Sequence, residues 1–564
     1  MREQKPSQLL SRERGARKGR ASRPKRAVTR PGAGGQRRSK QRRGSVRAGV
    51  AVFAGRAAGA ISRRLRLGGG TSVVGLVAQR LYPDIVEHLA TQLEHGNVVV
   101  TGTNGKTTTS GFIASILQDA GLRVWHNREG SNLMRGVAGM LVMRAHPNGM
   151  LRRSGRAISV FELDEAVVPQ VVKVAPPRVA VFTNLFRDQL DRYGEVDSVS
   201  SRWRQAIKTL PSSTTLVLNA DDPTIANLGE AFAGPVLYFG IDDPQLDLTA
   251  QNTAPERHQV IDTRTCPRCG GEYIYTLRFY SHMGHYRCSH CDLTRPSPTV
   301  RVVHIRTDSF DRTHIQVETP TQQGEVIIPL PGLYNVYNAL AAITAAQALD
   351  ISWDPIVMGI EQFKPVFGRG ERVQIAGRNV RLLLAKNPTG FNEVLRTLFT
   401  EEVPRHVLFV LNDNTADGKD ISWIWDVDFE RAAGHIASLV IGGTRALDLG
   451  LRMKYAGIDQ QDVTIVPPAP LRSLRKEAAN DARARRKSSR KPQTELEQPV
   501  GQDEHAGAPG SGSPAYGIAA ALDAALAQTP AGETLFIVPT YTGLLEIHRE
   551  MERRGLAAHY WERA

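Results

Sequence analysis

Three observations in the sequence predict an α/β protein built on parallel sheets. First, the apolar β-branched run Val98-Val99-Val100 leads through Thr101-Gly102-Thr103-Asn104-Gly105 into Lys106-Thr107-Thr108 and a helical pattern that stops at Gly121. Second, short apolar runs recur at 158–161, 179–182 and 216–218, with helical stretches between them. Third, a comparable series at 380–384, 407–411, 439–441, 463–466 and 535–538 follows beyond Gly368. Strand–helix alternation of this kind makes βαβ units, which pair their strands in parallel and carry helices on both faces. At 564 residues the chain is long enough for more than one such domain. No internal repeat is evident.

Charge divides the chain unevenly. Residues 1–50 hold 17 Lys/Arg and 2 Glu, so they carry nearly all of the net +16, while the remaining 514 residues balance 55 basic against 54 acidic groups. The head is rich in Gly, Ser, Pro and Arg, cannot bury enough apolar surface to fold, and is expected to be disordered. Such a run attracts anionic lipid headgroups or nucleic acid. It can equally be an upstream extension of the gene, since no Met separates Met1 from Met134 and Val46 could mark a start. Residues 51–96 alternate Ala, Val and Leu with Arg and read as helix broken at Gly68-Gly69-Gly70. Residues 472–515 have no apolar periodicity and read as a disordered surface insertion. No apolar run of about 18 residues and no secretory h-region occur, so a cytosolic protein is expected. The domain organisation expected is a head at 1–50, a nucleotide domain at 51–366 and a last α/β domain at 367–564. Gly368-Arg369-Gly370-Glu371 forms the joint after an amphipathic helix.

The loop after the first strand is a P-loop. Its backbone N–H groups and the helix N-terminus cradle phosphate, so Gly102, Thr103, Asn104, Gly105 and Thr108 are expected to line a nucleotide. Lys106 would reach the β- and γ-phosphates, and the Thr107 hydroxyl would ligate Mg²⁺. The spacing is compact: the glycines are Gly102 and Gly105, and Val100 stands where the longer pattern has a glycine. The strands end in Glu162, Thr183-Asn184 and Asn219. Ligands of parallel sheets bind beyond the carboxyl ends of the strands, so these polar residues are expected to face the nucleotide.

The four cysteines form two pairs, Cys266-Pro-Arg-Cys269 and Cys288-Ser-His-Cys291, separated by 18 residues. This is zinc-ribbon spacing, in which two knuckles close a thiolate tetrahedron. Four thiolates leave no open position for water, so structural Zn²⁺ is expected, in an insertion at about 262–298. His282, His285 and His290 lie nearby and are expected to be solvated or packed.

The loop Thr-Gly-Thr-Asn-Gly-Lys-Thr resembles the ATP loop of the Mur ligases and folylpolyglutamate synthases. Phe161-Glu162-Leu163-Asp164-Glu165 resembles the Mur-ligase strand end whose glutamate binds Mg²⁺. Gly332-Leu-Tyr-Asn335-Val-Tyr-Asn338 resembles the family's asparagine-bearing helix start, and Gly368-Arg369 the joint whose arginine contacts nucleotide. Three departures narrow the likeness. Asp188-Gln189-Leu190-Asp191 has an amide in place of a metal-binding histidine, no lysine follows Gly194 before Lys208, and Ala385-Lys386-Asn387-Pro388 replaces Ala-His-Asn-Pro. With the four-cysteine insertion, these resemble the amidating branch of the family, the synthetase subunits that act on lipid II. The segment from Leu411 to Asp426, with Asp413, Asp417, Asp420, Trp423 and Trp425, resembles that branch's last domain.

The resemblance implies ATP-dependent amidation of the α-carboxylate of D-isoglutamate in lipid II through an acyl phosphate, with peripheral attachment to the inner face of the plasma membrane. It implies Thr107 and Glu162 as Mg²⁺ ligands, Asn335 and Arg369 as nucleotide contacts, and Lys386 as a group steadying the acyl phosphate. It also implies a GatD-like glutaminase that supplies ammonia, with Asp420 orienting the partner's histidine as the third member of a triad. Turn and cap chemistry is the plainer reading of aspartates in an Asp/Asn/Gly loop. Glu165, Asp164 and Asp188 read as outer groups of the metal site or as caps, and Trp423 and Trp425 as core or subunit contacts. Two other classes fit the sequence less well. An amino-acid-adding Mur or folylpolyglutamate-type ligase is disfavoured by Gln189 and by the short span before the P-loop, about 45 residues, too few for a UDP-sugar domain. A nucleic-acid-binding NTPase is disfavoured by the balanced charge of 51–564, so no specific nucleic acid is expected.

Overall fold

The computed structural model describes residues 45–64, 71–127, 132–152, 154–187, 196–246, 263, 265–308, 310–364, 368–401, 403–468 and 516–556. The expected insertion at 472–515, the Gly68-Gly69-Gly70 break and the Asp188–Asp191 motif lie outside these residues. So does the head as far as residue 44. Residues 46–50, expected to belong to that head, instead form the first turn of the helix Val46–Arg64. Val46, Ala48, Val50 and Ala51 continue the Ala/Val pattern, and Ala48 and Ala51 are fully buried.

The helices Val46–Arg64, Thr71–Leu81 and Ile85–Ala90 precede the first strand. The strands that follow are β1 (Asn97–Thr101), β2 (Arg123–His126), β3 (Ala157–Glu162), β4 (Val179–Phe182), β5 (Thr215–Asn219) and β6 (Val236–Ile241). Next come β7 (Tyr273–Tyr280), β8 (Met283–Cys288), β9 (Val300–Asp308), β10 (Arg312–Glu318) and β11 (Gln323–Ile328). Nine of them form one sheet in the order β11-β10-β9-β6-β5-β4-β1-β3-β2. The seven strands from β2 to β9 pair in parallel, as the βαβ rhythm predicts. β10 and β11 add an antiparallel edge, so the sheet is mixed and not purely parallel.

Side chains alternate across this sheet. Val99, Phe161, Ala180 and Leu216 join the core on one face, and Val98, Val100, Val160, Val181 and Val217 join the core on the other. Burial on both faces explains why the central strands read as unbroken apolar runs. β7 and β8 stand apart as an antiparallel hairpin between β6 and β9, carrying the cysteines.

A second sheet collects the later strands: β12 (Arg369–Ile375), β13 (Arg378–Leu383), β14 (Arg405–Val410), β15 (Ile436–Gly442), β16 (Val463–Ile465) and β17 (Thr534–Pro539). Their order is β12-β13-β17-β14-β15-β16, parallel except for the β12–β13 hairpin. The expected joint at Gly368–Glu371 is thus the start of an edge strand. There the Gly368 amide donates to Glu371 Oε2 at 3.1 Å.

Candidate active site

The loop between β1 and the helix Lys106–Asp119 needs both of its glycines. Gly102 has φ 141° and Gly105 φ 81°. A Cβ on Gly102 would overlap Thr183 Oγ1, and one on Gly105 would overlap Asn338 Oδ1. Close approach and positive φ therefore fix both positions as glycine. Gly105 is also the N-cap of this helix, so the loop leads into free N–H groups and the positive end of the helix dipole.

Polar residues at neighbouring strand ends hold the loop from below. Asn184 receives the Asn104 amide at 2.9 Å and donates to the Asn104 carbonyl at 3.1 Å. Thr183 Oγ1 also donates to the Asn104 carbonyl, at 3.1 Å. Thr103 Oγ1 donates to the Phe186 carbonyl at 3.1 Å and receives the Phe186 amide at 3.0 Å. Asn219 is fully buried and donates to the Thr183 carbonyl at 2.9 Å. These residues brace the loop from beneath; Asn219 does not face a nucleotide as expected.

Lys106 is buried and ion-paired to Glu165, Nζ to Oε1 2.9 Å, with both side chains no more than 10% exposed. It also donates to the carbonyls of Gly102 and Thr103. Glu165 is therefore the lysine's ion-pair partner. Asp164 accepts the Ala166 amide at 3.2 Å, two residues on, in a turn ahead of the helix Val168–Val174. Thr107 Oγ1 donates to Glu162 Oε1 at 2.8 Å. Cis oxygens of an octahedral Mg²⁺ with ligands at about 2.1 Å lie about 2.9 Å apart, so this pair fits the ion. Asn127 fixes the Glu162 backbone by a reciprocal pair of 2.8 Å hydrogen bonds. Thr108 is buried in the helix's first turn.

Asn335 is buried at the start of the helix Leu333–Ala348, where it donates to the Pro331 carbonyl at 2.7 Å. It reaches the loop through Asn338, which donates to Asn335 Oδ1 at 3.1 Å and receives Thr109 Oγ1 at 3.2 Å. Arg369 lies at the start of β12. Burial lowers its pKa, while the charges of Glu162, Tyr334 and Tyr541 act to raise it.

The second sheet meets the P-loop directly. Asn387 and Asn104 exchange side-chain amide hydrogen bonds at 3.1 and 3.3 Å. Asn387 also caps the helix Pro388–Leu398 by accepting the Gly390 amide at 2.8 Å. The Asn-Pro pair was readable as a helix start, but its bridge to the loop was not. Lys386 adjoins it, half-buried.

Asp420 stands elsewhere, exposed on the loop after β14, where its Oδ1 receives the Ser422 amide at 2.8 Å. That amide and the Ser422 hydroxyl hold its carboxyl below the usual carboxylate range. The other aspartates of this loop are engaged within the chain. Asp413 pairs with Arg445 at 3.0 Å, Asp426 with Arg187 at 3.0 Å, and Asp417 receives the Thr542 amide at 2.8 Å. Trp423 packs on Phe391, whereas Trp425 is 47% exposed against Tyr455.

The four cysteine sulfurs lie within 4.8 Å of one another. Cys266–Cys291 and Cys269–Cys288 are 3.7 and 3.4 Å apart. Sulfurs at about 2.3 Å from a tetrahedral ion sit about 3.8 Å from each other, so the cluster can coordinate Zn²⁺. The histidines lie outside it. His282 is buried beside Asp222 at 3.3 Å, His285 contacts the Ile241 carbonyl, and His290 contacts Ser289.

A P-loop on a mixed α/β sheet, a hydroxyl–carboxylate pair at its helix, and a second α/β sheet closing on the loop define a synthetase of the Mur-ligase class. The Mur ligase middle domain model matches residues 100–280, and the MurT ligase C-terminal model matches 384–487. A pseudomurein peptide ligase type C from Methanothermus fervidus has a similar fold, with TM-score 0.56 at 22% identity over 82% of this chain and 79% of that one. MurF ligase from Thermotoga maritima, solved with ADP, superposes with TM-score 0.52 at 12% identity over 86% and 85%. The lipid II isoglutaminyl synthase (glutamine-hydrolyzing) subunit MurT of Staphylococcus aureus strain COL is 33% identical over 411 residues, covering 73% of this chain and 87% of that protein. The Streptococcus pneumoniae R6 subunit is likewise 33% identical, over 71% and 85%. The chain belongs to the MurT family.

Proposed function

We propose that this chain is the synthetase subunit of a glutamine-dependent amidating enzyme, converting the α-carboxylate of D-isoglutamate in lipid II to the carboxamide. The observation that carries the reading is 33% identity over 87% of the staphylococcal subunit, with the P-loop lysine, its threonine and the facing glutamate all in one cleft. Amino-acid-adding ligases such as the UDP-N-acetylmuramate–L-alanine ligase of Aquifex aeolicus align over only 47% of this chain and 44% of their own length.

The nucleotide domain is read as 46–366, so that it takes in the whole helix Val46–Arg64, and the last domain as 367–564. ATP would bind with its phosphates on the amides of Gly102–Thr108, and Asn335 and Arg369 would hold the nucleotide. Thr107 and Glu162 would hold Mg²⁺, which when bound spreads the charge of the transferring phosphoryl group. Lys106 must exchange part of its contact with Glu165 for phosphate oxygens. The substrate carboxylate attacks the γ-phosphorus, the bond to the β-phosphate oxygen breaks, and an acyl phosphate and ADP form. Ammonia then adds to the acyl carbon, phosphate leaves, and a proton is lost to give the amide. Lys386, beside the loop-facing Asn387, would steady the acyl phosphate. Structural Zn²⁺ would sit on Cys266, Cys269, Cys288 and Cys291.

Free ammonia is scarce at neutral pH, so a GatD-like glutaminase would supply it. Asp420 has a lowered pKa, is exposed and makes no ion pair among the described residues, which suits a carboxylate offered to a partner's histidine. Leu447, Leu451 and Tyr455 follow one face of the helix Ala446–Tyr455, Trp425 packs on Tyr455, and each of the four is at least 47% exposed, an apolar surface on which that partner would dock. The complex would work as a peripheral enzyme at the cytoplasmic membrane face, and no described helix is long and apolar enough to cross a membrane. Co-purification with the glutaminase, followed by mass spectrometry of lipid II incubated with ATP and glutamine, tests the reading. A mass decrease of one dalton at the isoglutamate is expected. Addition of an amino-acid residue would overturn it.

A further inference from the structure

The helix Val46–Arg64 is packed inside out. Its inner face is made of small residues, with Ala48, Gly49, Ala51, Val52, Gly55, Gly59 and Ser62 buried. Gly55 lies against Val74 and Ala78 of the helix Thr71–Leu81, whose Gly75 in turn crosses Gly139 of the helix Met134–Met143. The large apolar side chains point the other way. Val46, Val50, Phe53 and Ile61 are 85%, 56%, 68% and 59% exposed. Their spacing of four, three and eight residues puts them on one stripe of an α-helix. The neighbouring helix adds exposed Val73, Leu76 and Leu81. A soluble surface helix has the opposite pattern, and a contiguous apolar face of this kind marks a contact surface.

Charge selects the occupant. Neither helix contains an acidic residue, and Arg63, Arg64 and Arg80 lie exposed near the apolar stripe. Between Arg14 and Pro83 the sequence holds 19 Lys/Arg and no Asp or Glu. Basic residues around an exposed Val/Phe/Ile/Leu face are the composition that lies in the headgroup layer of an anionic bilayer. An acidic protein surface would match the arginines but not the large apolar stripe between them.

We infer that the helices Val46–Arg64 and Thr71–Leu81 form a docking surface for an anionic lipid bilayer, with Phe53 and Ile61 entering the headgroup–acyl boundary. The surface itself rests on exposure, and the choice of a bilayer rests on the charge pattern together with the lipid-linked substrate proposed above.

The test is co-sedimentation of the full-length chain with vesicles containing phosphatidylglycerol, against vesicles of phosphatidylcholine alone. Binding is expected to the anionic vesicles only, weakening as salt rises. Phe53→Ser with Ile61→Ser should weaken it by about tenfold or more, because binding scales with the apolar area inserted. Both residues are exposed, and amidation of detergent-dispersed lipid II by this variant should equal wild type. Phe53→Trp should add fluorescence that brominated acyl chains quench. No sedimentation of wild type, or equal binding by the double variant, or an added tryptophan that escapes quenching would each overturn the proposal. So would a double variant that loses the glutaminase or changes oligomeric mass, since the face would then belong to a protein. Failure of the wild-type chain to amidate lipid II in detergent would instead overturn the functional reading and leave the vesicle result standing.

Discussion

Lys106 and Glu165 lie 2.9 Å apart and nearly out of water, which changes what a lysine substitution measures. Lys106→Ala removes the phosphate contact, but it also strands a buried carboxylate. Breaking such a pair from one side costs about 3 kcal/mol or more. Lys106→Ala should therefore lose ATP-dependent amidation and unfold at lower denaturant. Lys106→Ala with Glu165→Gln should regain most of the stability and none of the activity. Urea melts run beside the amidation assay check this, and a double variant as unstable as the single would show that the pair is not what the lysine stabilises. Glu162→Ala is a different case. Glu162 faces the Thr107 hydroxyl and its charge acts on the buried Arg369, so the variant should lose some stability as well, while its amidation stops responding to added Mg²⁺. At this scale the loop was legible, because Gly-Lys-Thr between strand and helix admits few meanings. Glu165 was not, since nothing in a linear pattern says which of two nearby carboxylates turns toward the lysine.

Among the elements, the cysteine hairpin does more than hold a metal. Its tip enters the core of the first sheet through Phe279, Tyr280 and Met283, and the Phe279 carbonyl receives Arg396 from the helix Pro388–Leu398 at 2.6 Å. Cys266→Ser should release about one zinc per chain and lower the melting temperature, because a closed thiolate site contributes folding free energy directly. Metal analysis of freshly purified reduced protein that finds no zinc would refute the site. Asn387 links the two sheets in a second way. Asn387→Asp keeps the helix cap but puts a carboxylate at a fully buried position, so some stability should be lost. A carboxylate cannot donate to Asn104, and it adds negative charge beside the phosphates, so the KM for ATP should rise. An unchanged KM would separate the Asn104–Asn387 bridge from nucleotide binding. The parallel strands were legible because both of their faces are buried. The antiparallel edge was harder, although Thr313, Ile315 and Val317 alternate inward along β10, since a βαβ rhythm carries no information about a meander appended to it. The inward tip of the hairpin was likewise hidden, because cysteine spacing fixes the knuckles and not where the strands between them point.

For the whole molecule, the division of labour lies between the cleft at the P-loop and the exposed loop after β14. Motif likeness located both, but which aspartate stays available could be read only from the folded chain, where Asp413, Asp417 and Asp426 are held by Arg445, Thr542 and Arg187. Asp420→Asn separates the two half-reactions. If its carboxylate orients a partner histidine, the amide favours the wrong imidazole tautomer and loses the charge that stabilises imidazolium. Glutamine hydrolysis by the complex should then fall by about 10³-fold or more. The Ser422 amide can still donate to an asparagine oxygen, so the local turn should survive. Amidation from added ammonium should continue, because Lys106, Thr107 and Glu162 belong to the other sheet's cleft. Leu451→Asp in the apolar patch should instead lose the glutaminase in co-purification while keeping ammonium-dependent activity. A partner that still co-purifies with Asp420→Asn, together with equal loss from glutamine and from ammonium, would move Asp420 into the synthetase reaction and remove it from the triad.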